Sequence, residues 1–223
     1  MSTLHRLKSQ LALLFASKEA RRHGRAGNPR SWKTEREFQI SFLKRMGLES
    51  GQRLLELSCG TLCGGLPVIE FLEPGNYTGV EGRADVLEEA RAELSESGLA
   101  HKAPRLVLAQ DLGTLDLPGD FDWVCAFGLL SRWDDAELER ALALVAAQLA
   151  PQGSFCANVS CQESDDAQRS QPIRSARNLD FYRAALSRHG FSVRDLGSLA
   201  SLGHTSGDPL QDGQHMLLMR SVR

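Results

Sequence analysis

Apolar residues recur along this chain with two different periods, and the expected architecture changes where the period does. Leu4, Leu7, Leu11, Leu14 and Phe15 fall three and four residues apart, the spacing of one helix face, which predicts an amphipathic helix over about residues 3–22. Gly24, Gly27, Asn28 and Pro29 then break the pattern. Ser31 reads as the N-cap of a second helix that runs to Met46 and is stopped by Gly47. Trp32, Phe38, Phe42 and Leu43 form the face with which that helix would pack on the rest of the molecule.

From Arg53 onward short apolar runs alternate with helical stretches. Strands are expected at Leu54–Leu57, Asn76–Val80, Arg105–Ala109, Phe121–Phe127, Ser154–Val159, Phe191–Leu196 and His215–Ser221. Helices are expected at about Leu62–Phe71, Ala84–Ser97, Asp135–Leu149 and Leu179–His189, the last with Gly190 at its C-cap position. Pro151–Gln152–Gly153 reads as a turn, and residues 160–177 are polar, unpatterned and read as a mobile loop. Strands separated by helices predict an open parallel sheet covered on both faces. No helix is expected between the last two strands, so these should pair as an antiparallel hairpin.

Composition adds limits. The 223 residues are 42% hydrophobic and 24% charged, the balance of a chain able to bury a sizeable core. The net charge of −2 hides an asymmetry. Residues 1–50 hold 11 Lys and Arg against 4 Asp and Glu, a net of +7, and the remainder carries −9. Because the basic residues are interleaved with leucines at helical spacing, they read first as a solvated helix face, and nucleic acid is not the expected partner. No apolar run approaches a membrane span, and Leu11–Ala16 is too short for a secretory core, so a cytoplasmic protein without membrane contact is expected. The five cysteines have no disulfide-framework spacing. Cys59 and Cys63 lack two further ligands for zinc and read as small thiols in a glycine-rich turn, with no metal expected.

The candidate chemistry lies at strand ends, where open α/β sheets bind ligands. The first strand runs into Ser58–Cys59–Gly60–Thr61–Leu62–Cys63–Gly64–Gly65, where glycines allow a ligand close to the backbone. The second strand ends in Gly79–Val80–Glu81, an acid placed to accept hydrogen bonds from both hydroxyls of a ribose. The third ends in Gln110–Asp111–Leu112, where a carboxylate would receive an adenine amino group. Each signal is weak alone, but the three strand ends would lie side by side.

Glu56–Leu57–Ser58–Cys59–Gly60–Thr61, Gly79–Val80–Glu81, Asp111 and Phe121–Asp122–Trp123–Val124 resemble, in order and spacing, the motifs of class I S-adenosylmethionine-dependent methyltransferases. The resemblance covers about residues 50–160. It implies a Rossmann-like α/β fold with a seven-stranded sheet of order 3-2-1-4-5-7-6, strand 7 antiparallel and helices on both faces. Residues 51–223 would form that domain, and residues 1–50 an N-terminal helical extension that in many relatives covers the cofactor entrance, with Trp32, Phe38 and Gln39 as a possible lid. The cofactor implied is S-adenosylmethionine. Glu56 and Gly60, with Ser58 and Thr61 beside them, would line its methionine end. Glu81 and Gly82 would take the ribose, Asp111 and Leu112 the adenine, and Phe127 would close the pocket. The chain departs from the family's glycine-rich turn at Ser58 and Leu62. A NAD-binding Rossmann domain also uses an acid after strand 2, but its G-x-G-x-x-G turn is poorly matched here.

Two function classes stay open: a methyltransferase acting on a hydroxyl or amine of a small molecule, and a non-catalytic or repurposed relative that keeps the fold. Methyl transfer to a hydroxyl needs a general base. Where many relatives carry a histidine after strand 4, this chain has Arg132, which would clamp an anionic group or simply face solvent. His204, in the connection between the last two strands, is the candidate base, against the plain reading of a solvated loop histidine.

Overall fold

The computed structural model describes residues 17–115, 117–161 and 177–222. The expected helix over 3–22 lies mostly outside them, and so does the body of the expected loop over 160–177.

Among the described residues, helix α1 (Lys18–His23) and helix α2 (Trp32–Arg45) precede the sheet. Then follow β1 (Leu54–Leu57), α3 (Gly65–Phe71), β2 (Tyr77–Glu81), α4 (Ala84–Glu96), β3 (Arg105–Leu108), β4 (Phe121–Ala126), α5 (Asp135–Gln148) and β5 (Leu149–Val159). The chain closes with α6 (Leu179–Arg188), β6 (Phe191–Ser198), α7 (Pro209–Asp212) and β7 (His215–Ser221). The seven strands form one sheet in the order β3-β2-β1-β4-β5-β7-β6. β1 pairs parallel with β2 and β4, and β7 runs antiparallel to both β5 and β6. The expected fold is the observed one.

The core explains the strand pattern. All four residues of β1 are buried, because the sheet is covered on both faces. Leu55 and Leu57 join an apolar layer with Val124, Leu138, Leu142, Phe155 and Tyr182. Leu54 faces the other layer, with Val68, Ile69, Tyr77, Trp123 and Leu218. Phe38, Phe42 and Leu43 of α2 belong to that second layer, so this helix is bound to the sheet through buried apolar side chains. No helix among the described residues is long and apolar enough to cross a membrane.

Four local expectations change. α3 begins at Gly65 and not near Leu62, because Leu62 takes φ +60° and so stands outside right-handed helix. Pro151–Gly153 is a bulge inside β5 and not a turn before it: Gln152 takes φ +65°, and the register with β4 shifts between Phe121 and Trp123. The β6–β7 connection does hold a helical turn, α7, with the Asp208 side chain capping Leu210 N–H and Pro209 at the first position. Ser31 sits at the N-cap of α2, but its hydroxyl donates to Glu35 Oε1 (2.8 Å) and caps no backbone amide.

Candidate functional site

After β1 the chain turns through Ser58–Gly64 before α3 can begin. Ser58, Gly60 and Leu62 take φ of +60°, +57° and +60°. Glycine enters this left-handed region freely, whereas an L-residue costs about 1–2 kcal/mol. Ser58 and Leu62, the two departures from the glycine-rich pattern, therefore sit where glycine would be unstrained. Close packing also dictates glycine nearby. A Cβ on Gly60 would stand 3.0 Å from the Ala26 methyl, and one on Gly65 2.3 Å from the Tyr77 hydroxyl.

Two carboxylates flank the turn. Glu56, buried at the end of β1, accepts a hydrogen bond from Tyr77 Oη (2.5 Å). Burial pushes its pKa up to about 7, against the lowering effect of that hydrogen bond. Glu81 ends β2, and its two oxygens accept from Gly60 N–H (3.1 Å) and Arg83 N–H (3.0 Å). β2 and β1 are thereby tied together at the point where the turn departs.

A cleft of about 1230 Å³ opens over this end of the sheet. Glu56, Ser58, Gly60, Thr61, Phe127, Arg132 and His204 all contribute to its walls, as do Phe38 and Gln39 of α2. Glu81 stands behind the wall, held on Gly60. Gly82, Asp111 and Leu112 are not among the lining residues. Asp111 is exposed, and its Oδ1 accepts from Gly113 N–H (2.8 Å) at the start of a short 3-10 turn. Trp32 is not in the wall either; its ring lies beside both His23 (4.8 Å between centroids) and the Arg36 guanidinium (4.9 Å).

His204 is not a solvated loop residue. It is 2% exposed, and its ring meets the edge of Phe38 at 5.1 Å. Asp212 Oδ1 lies 2.8 Å from Nδ1, so Nδ1 carries a proton, and in the neutral tautomer this leaves the lone pair on Nε2. Asp212 also accepts from the Ser206 amide (2.9 Å), the Ser206 hydroxyl (2.8 Å) and the Gly207 amide (3.1 Å). Burial would raise its pKa, but these donors outweigh it and hold the carboxyl below its ordinary range. The sequence reading passed over Asp212. The Asp-Pro signal of α7 was visible, but nothing in the sequence shows that this helical turn folds its last carboxylate back onto His204.

Arg132 is exposed at the mouth, with no partner for its guanidinium among the described residues. Other acids in the cleft wall accept hydrogen bonds: Glu35 from Ser31 and Gln211, Glu137 from the Asp134 amide, and Asp208 from the Leu210 amide. Asn158, at the end of β5, accepts from Gly128 N–H (2.7 Å) and bonds Gln214, which fixes the floor after β4.

The N-terminal segment closes one side. Arg83 donates to the Arg25 carbonyl (2.8 Å), and Ala26 rests on Gly60. His23 Nδ1 lies 2.9 Å from Thr61 Oγ1, and Arg36 Nη2 lies 3.0 Å from His23 Nε2. A guanidinium only donates, so Nε2 accepts and Nδ1–H donates to Thr61. Burial is the main cause that lowers the His23 pKa to about 4, which agrees with a neutral ring.

Comparison with known proteins bears on the domain and its fold. A family model for the methyltransferase domain matches residues 55–155. No curated protein matches the chain significantly. Among solved structures, an S-adenosylmethionine-dependent methyltransferase from Clostridium acetobutylicum ATCC 824 superposes with a TM-score of 0.65 at 15% identity, covering 85% of this chain and 92% of that one. The glycopeptide N-methyltransferase MtfA, solved with S-adenosyl-L-methionine, gives 0.64 at 21% identity, covering 84% and 93%. The [4+2]-cyclase SpnF gives 0.65 at 20% identity, covering 83% and 80%. At these identities the superpositions speak for the fold.

Proposed function

We propose that this chain is a class I S-adenosylmethionine-dependent methyltransferase and that it transfers a methyl group to a hydroxyl or amine of a small molecule, a reading supported by the methyltransferase-domain model that matches residues 55–155. The observation that carries this reading is that the glycine-rich cradle and His204, which is backed by Asp212, line one cleft.

The cradle fits the cofactor chemically. Gly60 and Gly65 leave no room for a side chain, Glu56 is a buried carboxylate suited to a cationic amino group, and Glu81 is fixed at the strand end suited to a ribose. Ser58, Thr61 and Phe127 complete that end of the cleft. Gly82, Asp111 and Leu112 remain proposed for the ribose and adenine end. Bound there, S-adenosylmethionine supplies an activated methyl group on its sulfonium. His204 Nε2 takes the proton from an acceptor hydroxyl as its oxygen attacks the methyl carbon, or from an acceptor ammonium before the freed amine attacks. Asp212 stabilises the imidazolium through Nδ1–H, and the methyl–sulfur bond would break to leave S-adenosylhomocysteine as a neutral thioether. Arg132, exposed at the mouth and without a partner among the described residues, clamps an anionic group on the acceptor. Phe38, Leu199 and Trp133 give the same wall an apolar surface for the acceptor body. The described part of the N-terminal extension forms the lid, through Phe38 and Gln39.

The test is a methyl-label experiment. Protein incubated with methyl-labelled S-adenosylmethionine and a low-molecular-mass metabolite extract should yield a labelled product one methyl group heavier than its precursor. The His204→Ala variant should not. Label found only on unreacted cofactor, with binding intact, would favour the second reading, a repurposed methyltransferase fold. Ser58 and Leu62 in the cradle, together with Arg132 in place of a histidine, are what keep that reading in view.

A further inference from the structure

The Ser58–Gly64 turn strains itself. It carries two L-residues in the left-handed region on either side of Gly60, a conformation that persists only where its surroundings over-determine it. Part of the hold comes from the sheet, through Gly60 N–H on Glu81 and Cys59 N–H on the Val80 carbonyl. The side-chain holds on the second half come from the N-terminal arm. His23 donates to the Thr61 hydroxyl (2.9 Å), Arg36 Nε donates to the Cys63 carbonyl (2.9 Å), and the Cys63 thiol donates to the Trp32 carbonyl (3.2 Å). Thr61 is fully buried, so its hydroxyl is committed to this contact.

These arm residues are themselves anchored at a distance. Glu93 of α4, a buried carboxylate, accepts from Arg36 Nη2 (2.8 Å) and bonds Arg22. Arg22 reaches Glu89 (3.3 Å) and Glu96 (3.0 Å) on the same helix. The path from α4 through Glu93 and Arg36 to His23, and from His23 to Thr61, is unbroken.

We propose that His23 and Arg36 are positioning residues for the cofactor cradle, holding a turn that its own residues strain and making the N-terminal arm an integral part of the binding site. The proposal rests on the reading of the cradle as the cofactor site. It has a consequence that a general packing role lacks. If His23 matters because it offsets backbone strain, removing the strain at Ser58 must reduce the dependence on His23.

The experiment compares full-length wild type, His23→Ala, His23→Gln, Ser58→Gly and the His23→Ala/Ser58→Gly double variant. Two readouts are taken: amide hydrogen exchange of residues 58–65 without ligand, and calorimetric titration with S-adenosylhomocysteine. His23→Ala should speed exchange in 58–65 and weaken ligand binding by about tenfold, the scale of one lost buried hydrogen bond, while exchange in β4 and α5 stays as in wild type. His23→Gln, able to accept from Arg36 and donate to Thr61, should recover most of the loss. In the Ser58→Gly background the same His23→Ala change should cost less than about threefold. Wild-type exchange and affinity in His23→Ala would overturn the proposal, and so would an equal loss in both backgrounds or a uniform acceleration across the domain. A wild-type protein that binds no S-adenosylhomocysteine would instead sink the cofactor reading, while the exchange data still decide whether His23 holds the turn.

Discussion

Burial beside Tyr77 keeps the Glu56 carboxyl protonated to about pH 7, where an exposed glutamate would ionise near 4.5. The folded state therefore binds this proton more tightly than the unfolded chain does. Its contribution to stability is complete below pH 4.5 and is lost as pH rises through about 7. Replacing Glu56 with Gln should leave stability similar near pH 4.5 and raise it relative to wild type by up to about 3 kcal/mol above pH 7, measured by denaturant unfolding. His23 works in the opposite sense. With its pKa lowered from 6.5 to about 4, it contributes stability that is lost as pH falls through that window, so the difference between variant and wild type is the quantity to read. A cationic ligand group beside Glu56 would favour the carboxylate, so ligand binding near pH 6.5 should release a proton in wild type and not in Glu56→Gln, detectable as a buffer-dependent calorimetric enthalpy. For catalysis, His204→Ala should lower kcat by about 10²–10⁴-fold, and Asp212→Asn by less, with the loss in kcat and not in cofactor affinity. His204 was legible as a candidate because a titratable ring in the strand 6–7 connection must face the ligand side. Its partner was not, because the fold of a short loop decides which of its acids meets it.

Elements show a similar division. Every strand from β1 to β7 was legible to within two residues except at the start of β5, which begins at Leu149 and not Ser154, because apolar runs bounded by glycine, proline and polar residues leave little choice in a doubly covered sheet. What the pattern missed are places where backbone conformation overrides it. Leu62 looks like the first apolar residue of a helix, yet it is in the left-handed region and buried, and α3 waits for Gly65. Gln152 looks like the centre of a turn and instead forms a bulge in β5. The β1–α3 junction also supports a prediction. Gly65→Ala puts a methyl 2.3 Å from the Tyr77 hydroxyl and 3.0 Å from Glu56, groups already bonded to each other in a filled core. The variant should lose about 1–3 kcal/mol in denaturant unfolding, the usual cost of overpacking.

Across the whole molecule, the seven-stranded order was legible because strand–helix alternation and the motif spacing agree, and the sheet follows both. The packing of α2 through Phe38, Phe42 and Leu43 was legible too, but the ionic attachment of the N-terminal segment was not, since its partners lie far apart in sequence. Arg22 and Arg36 converge on Glu93, 71 and 57 residues away. Removing that carboxylate leaves Arg36 without its carboxylate partner and Arg22 with only the more exposed Glu89 and Glu96, so Glu93→Ala should cost about 1–3 kcal/mol and lower the thermal midpoint. The central claim remains that the cradle between Glu56 and Glu81 binds S-adenosylmethionine. Calorimetric titration of wild type and Glu81→Ala with S-adenosylhomocysteine tests it most directly. Saturable binding to wild type, weakened by about 1–3 kcal/mol in the variant, is the expected result. No binding to wild type at millimolar ligand, or equal affinity for both proteins, would contradict it.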